Sequence, residues 1–177
     1  MTEKTIVWDP LVRVLHWSLV TGLTIAWLTE DGPGFLHDGA GYVVLGVIAT
    51  RVVWGLIGTR YARFFSFIPT PSDTISYAKS IVHGTEPRYL GHNPLGGWMI
   101  VALLSCAGAA GLSGWLYTTD TFWGIEWMED LHEAFANLLL FLVACHVAGV
   151  IFTSFRGHEN LVRSMINGWK EKRPGDR

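Results

Sequence analysis

The sequence predicts an all-α integral membrane protein, a bundle of four transmembrane helices with both termini cytoplasmic and short amphipathic helices at the surface. Three observations predict it. Half of the 177 residues are apolar and only 16% are charged, against about 25% in soluble domains. Four apolar stretches, at about 11–28, 39–57, 95–117 and 131–155, can each cross about 30 Å of hydrocarbon at about 1.5 Å per residue. The third observation is the placement of charge. All 13 Lys and Arg fall in the N-terminal segment, in the end of the second stretch and the loop beyond it, or in the tail, whereas 29–40 and 118–133 carry carboxylates and no base. Positive residues stay on the cytoplasmic side, so an even number of crossings satisfies the whole pattern and leaves the outer face acidic.

Arg13 followed by an apolar run superficially resembles a signal peptide, but the run goes into Thr29, Glu30 and Asp31 without a small-residue cleavage site. A retained helix is expected. Beyond the second stretch, the polar loop 58–94 contains a short amphipathic segment that Ser72 would cap and that would run to about Val82. The third stretch carries Gly108, Gly111 and Gly114 beside Ala107 and Ala110. Such small residues admit a close neighbouring helix or a flat macrocycle. After the fourth stretch, Leu161, Val162, Met165, Ile166 and Trp169 recur at near-helical spacing in a basic tail, which predicts a second surface helix. The nine Trp suit an interfacial belt. One domain, 1–177, accounts for the length.

Only two Cys occur, Cys106 and Cys145, both inside apolar runs. A disulfide framework, a zinc site and an iron–sulfur cluster are excluded on that count.

Histidine inside apolar stretches carries the functional argument, because membrane interiors hold ionisable residues mainly for a purpose. With both termini inside, His16 lies near the inner end of the first helix and His37 at the outer end of the second. His132 and His146 share the fourth. Fourteen residues separate these two, a rise of about 21 Å in just under four turns, so both project from one helix face. Two depths follow, His37 with His132 outside and His16 with His146 inside. Paired imidazoles on facing helices form a ligand set for haem iron. A single such histidine more often serves an interface or a helix bond; the joint match in depth is what favours ligation. His83, His92 and His158 read as ordinary surface or interface residues. Arg51 stands fourteen residues after His37, at the inner depth, where it would either pair with an anion such as a haem propionate or extend toward the headgroups.

These residues resemble the bacterial cytochrome b561 family and the related b-type cytochrome subunits of nickel–iron hydrogenases. The matching pieces are Leu15-His16-Trp17, Leu36-His37-Asp38-Gly39-Ala40-Gly41, Arg51-Val52-Val53-Trp54-Gly55, Gly91-His92-Asn93-Pro94, and Leu131-His132-Glu133-Ala134-Phe135-Ala136-Asn137 leading to His146. The resemblance spans nearly the whole length. It implies a four-helix cytochrome with two haems b ligated at His16, His37, His132 and His146. It also implies a place in the bacterial cytoplasmic (inner) membrane, with electrons passing between the quinone pool and a periplasmic partner such as a c-type cytochrome or a hydrogenase. No nucleic-acid partner is expected. Two other readings stand beside this one, a superoxide:quinone oxidoreductase and a small proton or ion transporter using the same His and Arg.

Overall fold

The structure, a computed structural model, describes residues 3–174 and residue 176. Its order of elements is β1 (Glu3–Ile6), α1 (Pro10–Leu28), α2 (Gly34–Ile57), α3 (Pro71–His83), α4 (Pro94–Tyr117), α5 (Glu126–Arg156), α6 (Leu161–Asn167) and β2 (Trp169–Lys172), with a 3₁₀ turn at Phe64–Ser66. The four helices α1, α2, α4 and α5 are long and apolar enough to cross a membrane. The expected helical membrane bundle is what the chain forms.

Helix starts differ from the apolar boundaries in an instructive way. α2 begins at Gly34 and α5 at Glu126, five residues before their apolar runs, so His37 and His132 lie within regular helix. Hydropathy misses these turns because they are polar, yet carboxylates such as Glu126 and Glu129 favour the first turn of a helix through its dipole. α3 is capped by Thr70, whose side chain accepts from the Asp73 amide, and not by Ser72. Pro71 occupies the first helical position, which its fixed φ suits, and that moves the cap one residue upstream of the proline.

The chain divides into two compact units. The first comprises Met1–Arg13, Val53–Val101 and Cys145–Arg177, and the second Val14–Val52 and Ala102–Ala144. Charge divides with them. The first contains 12 of the 13 Lys and Arg, while in the second eight carboxylates face Arg51 as the only such base.

In the first unit the tail departs from expectation. The predicted surface helix through Trp169 stops at Gly168, which takes a left-handed φ of 85°. A Cβ there would also come 2.6 Å from the Trp8 carbonyl, so the position requires glycine. The chain then pairs antiparallel with β1, Ile6 opposite Trp169 and Glu3 opposite Lys172. Val7, Trp8 and Leu90 form the buried cluster beneath, joined by Tyr61 and Met165. Trp8 Nε1 donates to Ser164 Oγ at 3.2 Å. Arg88 bonds Glu159 at 2.6 Å and Asp176 at 2.5 Å, and Lys170 bonds Glu159 at 2.9 Å. The ammonium of Lys170 is thus buried but paired, as a buried charge must be. Burial pulls it below the usual lysine range, against the opposing pull of Glu159.

Asp9 sets the start of α1. Its Oδ1 accepts from the Val12 amide at 2.9 Å, and its Oδ2 from Trp54 Nε1 at 3.1 Å and Thr59 Oγ1 at 2.5 Å. Burial alone would raise its carboxyl, but the bonds from Thr59, Val12 and Trp54 outweigh it and hold the group below the usual carboxylate value of 3.8. A depressed folded value contributes stability that is present above the unfolded value and lost as pH falls through the folded one. Asp9→Ala removes a helix cap and two side-chain bonds, each worth about 1 kcal/mol. The variant is expected to lose about 3 kcal/mol, read as a lower thermal midpoint at pH 7 and a smaller difference from the parent below pH 4.

Candidate functional site

The second unit gathers two of the four singled-out histidines. His37 projects from α2 and His132 from α5. Their ring centroids lie 5.9 Å apart with planes at 82°. Each ring is oriented by a different helix. His37 Nδ1 is 2.9 Å from the carbonyl of Ala26 on α1, and His132 Nδ1 is 2.9 Å from the carbonyl of Ala110 on α4. A carbonyl only accepts, so both Nδ1 atoms carry a proton, and in the neutral ring that leaves the lone pair on Nε2. Each of the four long helices therefore contributes either a ring or the carbonyl that turns it.

The surroundings of the pair are small. The cavity is lined by His37, Asp38, Gly41, Tyr42, Gly111, Gly114, Trp115, Thr118 and His132. Beside Gly41 a side chain would meet nothing within 4 Å, while a Cβ at Gly114 would press to 2.9 Å from His132 Cε1. Glycine at 114 is what lets the ring seat against α4. Close by, Tyr42 Oη and Thr118 Oγ1 lie 3.5 Å apart, and Tyr117 Oη donates to Glu129 at 3.0 Å. Beneath this region Cys106, Ala107 and Leu139 form a buried cluster with Leu23, Ile48, Leu103 and Phe135.

The donor set narrows the chemistry. Among the described residues no group of three or more His, Cys, Asp or Glu gathers into a metal cluster. The pair offers two nitrogen ligands only, which suits a metal whose remaining positions are filled by a macrocycle. Metal–imidazole bonds of about 2 Å place two opposed ring centroids about 6 Å apart, and the observed separation matches. Carbonyl partners on Nδ1 are the supporting contacts that fix tautomer and raise ligand basicity. The residues present fit a bis-histidine haem, which when bound supplies one-electron redox chemistry at its iron.

The remaining candidates lie elsewhere. His16, on α1 in the second unit, is half-buried with its ring edge-on to Trp17 at 5.1 Å. His146, on α5, belongs to the first unit and is also half-buried. Arg51, in the second unit, is 6% exposed, a burial that disfavours extension toward headgroups. His83 behaves as an exposed last-turn residue, donating to the Lys79 carbonyl at 2.7 Å, and His158 is exposed with φ 47°. His92, expected at the surface or an interface, takes the second place. Its ring is half-buried between Trp8 and Phe67, each at 4.6 Å. Sequence reasoning missed three contributors, the Ala26 and Ala110 carbonyls and the Ser113 hydroxyl beside His132. Backbone acceptors leave no mark in a residue pattern. Ser113, a lone hydroxyl in a run of Gly and Ala, was the one available signal.

The prokaryotic cytochrome b561 family matches residues 7–168. A probable Ni/Fe-hydrogenase B-type cytochrome subunit of Bradyrhizobium diazoefficiens is 24% identical over 214 aligned positions, covering 94% of this chain and 86% of the relative. Proteins of the same description from Azotobacter vinelandii and Azotobacter chroococcum are each 24% identical, covering 95% of this chain and 90% of the relative. No solved structure matches. A family match over nearly the whole chain, on four apolar helices that pair two histidines, makes haem b electron transfer its chemistry: the chain belongs to the prokaryotic cytochrome b561 family.

Proposed function

We propose that this chain is a single di-haem domain that carries electrons across the bacterial cytoplasmic membrane, between the quinone pool and a redox protein on the periplasmic side. His37 and His132 hold the outer haem; His16 and His146 hold the inner. The observation that carries the reading is the orientation of the outer pair, with both Nδ1 atoms committed to backbone carbonyls and the rings spaced for one metal. The inner pair rests on the sequence argument of matched depth, supported by α5 being one continuous helix from Glu126 to Arg156. The charge asymmetry supports cytoplasmic termini.

In this reading the residues bind and orient, and no acid–base group is required at the haems. Arg51 neutralises a propionate of the inner haem, an ion pair strengthened by low dielectric. A quinone exchanges electrons at the inner end, near the start of α4 around His92. The relatives' description as hydrogenase cytochrome subunits supports a hydrogenase as one candidate for the outer partner, beside a c-type cytochrome.

Purified protein should contain two haems b per chain by pyridine haemochrome assay, and a value of one or zero would overturn the two-haem reading. In the same preparation, Arg51→Leu should shift one component of the redox titration and leave the other in place. An unmoved titration would remove Arg51 from the site.

A further inference from the structure

We infer that Ser113 sets the redox potential of the outer haem by competing with His132 for one carbonyl. Ser113 is 4% exposed on α4. Its Oγ donates to the Ala110 carbonyl at 3.0 Å and lies 3.4 Å from His132 Nδ1. That same carbonyl accepts from His132 Nδ1 at 2.9 Å. As part of an α-helix it also accepts from the backbone amide four residues on, at Gly114. Three donors therefore converge on an oxygen with two lone pairs, and each bond to it is weaker than it would be alone. The Ala26 carbonyl opposite takes the His37 proton with only a distant hydroxyl on it, that of Thr29 at 3.4 Å, which donates chiefly to the Ile25 carbonyl at 2.7 Å, so the two ligands of one iron are supported unequally.

The chemical consequence has a sign. A stronger N–H···O=C bond at Nδ1 gives the imidazole more anionic character and raises its basicity, which favours the more positively charged ferric state. The Ser113 hydroxyl draws on the Ala110 oxygen, weakens the His132 bond, and so keeps the potential up. It is a positioning residue, since it acts through His132 and touches no redox group.

The inference rests on His132 being a haem ligand, and the experiment separates the two claims. Ser113→Ala should lower the midpoint of the outer haem by a threefold change in its one-electron equilibrium, near 30 mV at 59 mV per decade. The inner haem should not move. Ser113→Thr keeps a hydroxyl able to bond the preceding turn and should return the midpoint to the parent value. The outer component is identified as the one missing from His132→Ala. An unchanged or raised midpoint in Ser113→Ala, with both haems bound, overturns the inference. Loss of the outer haem in that variant overturns it too, because the hydroxyl would then hold the ligand rather than weaken its bond. If His132→Ala keeps both haems, the ligand assignment itself fails, whatever Ser113 does.

Discussion

His132→Ala protein should retain one haem where the parent retains two, and His37→Ala should lose the same one. In each variant a single redox component disappears from the titration, and the surviving component keeps its midpoint. His16→Ala and His146→Ala should remove the other component. The expected effect is all-or-none because a low-spin b haem has no covalent attachment, and its iron bonds are the principal directional contacts holding it. The cavity offers little else to grip with, its walls being largely glycine and aromatic side chains. Gly114→Val is a companion test from the opposite direction. It leaves both imidazoles in place but puts a branched side chain where even a Cβ falls 2.9 Å from the His132 ring. Since His132 is fixed by the Ala110 carbonyl on the same helix, the ring cannot retreat without breaking that bond, and outer haem content should fall severalfold. If His37 and His132 variants removed different components, the pairing of α2 with α5 would be wrong even if the haem count were right.

How far the sequence could be read depends on what kind of physics wrote each feature. Transmembrane helices are written by composition, because the bilayer demands about twenty apolar residues and internal satisfaction of every backbone group; all four were therefore legible. The approach of His37 to His132 was legible in part for the same reason, since helical rise converts residue number into height along a helix. Helix starts at Gly34 and Glu126 were not, since they extend beyond the apolar run into polar turns. The pairing of β1 with β2 joins residues 3–6 with 169–172, a long-range contact between two short segments without alternation strong enough to announce a strand. Its tail segment instead matched a helical period until Gly168 broke it. Arg88, Glu159, Lys170 and Asp176 are scattered along the sequence, and only tertiary proximity makes them a network. At the site, residue types singled out His37 and His132, which the structure brings together, while the carbonyls that orient them had no sequence signal.

On the proposed topology, the sign of the charge on the outer segments predicts which oxidant or reductant reacts fast. Segments 29–40 and 118–133 contain eight carboxylates and no Lys or Arg, and Phe35, Trp123 and Trp127 within them are exposed. A field of one sign raises the encounter rate of an oppositely charged partner by about tenfold or more and lowers that of a like-charged one. Superoxide is an anion and meets the wrong sign here, which the haem propionates would only reinforce. A basic c-type cytochrome meets the right one. Reduced protein should therefore pass electrons to a basic cytochrome c with a rate that falls about tenfold as salt shortens the Debye length from about 30 Å at 0.01 M to about 10 Å at 0.1 M and beyond. Its reaction with superoxide should stay well below the diffusional ceiling and rise slightly as the same salt screens the repulsion. Stopped-flow mixing across one salt series measures both slopes, and their opposite signs are the diagnostic. Neutralising Glu126, Glu129, Asp130 and Glu133 to the corresponding amides should flatten both slopes together, because these side chains supply half of the outer charge. A near-diffusional superoxide reaction, with a cytochrome reaction indifferent to salt, would instead make the protein a superoxide:quinone oxidoreductase whose anion reaches the haem by a local route that the net field does not govern.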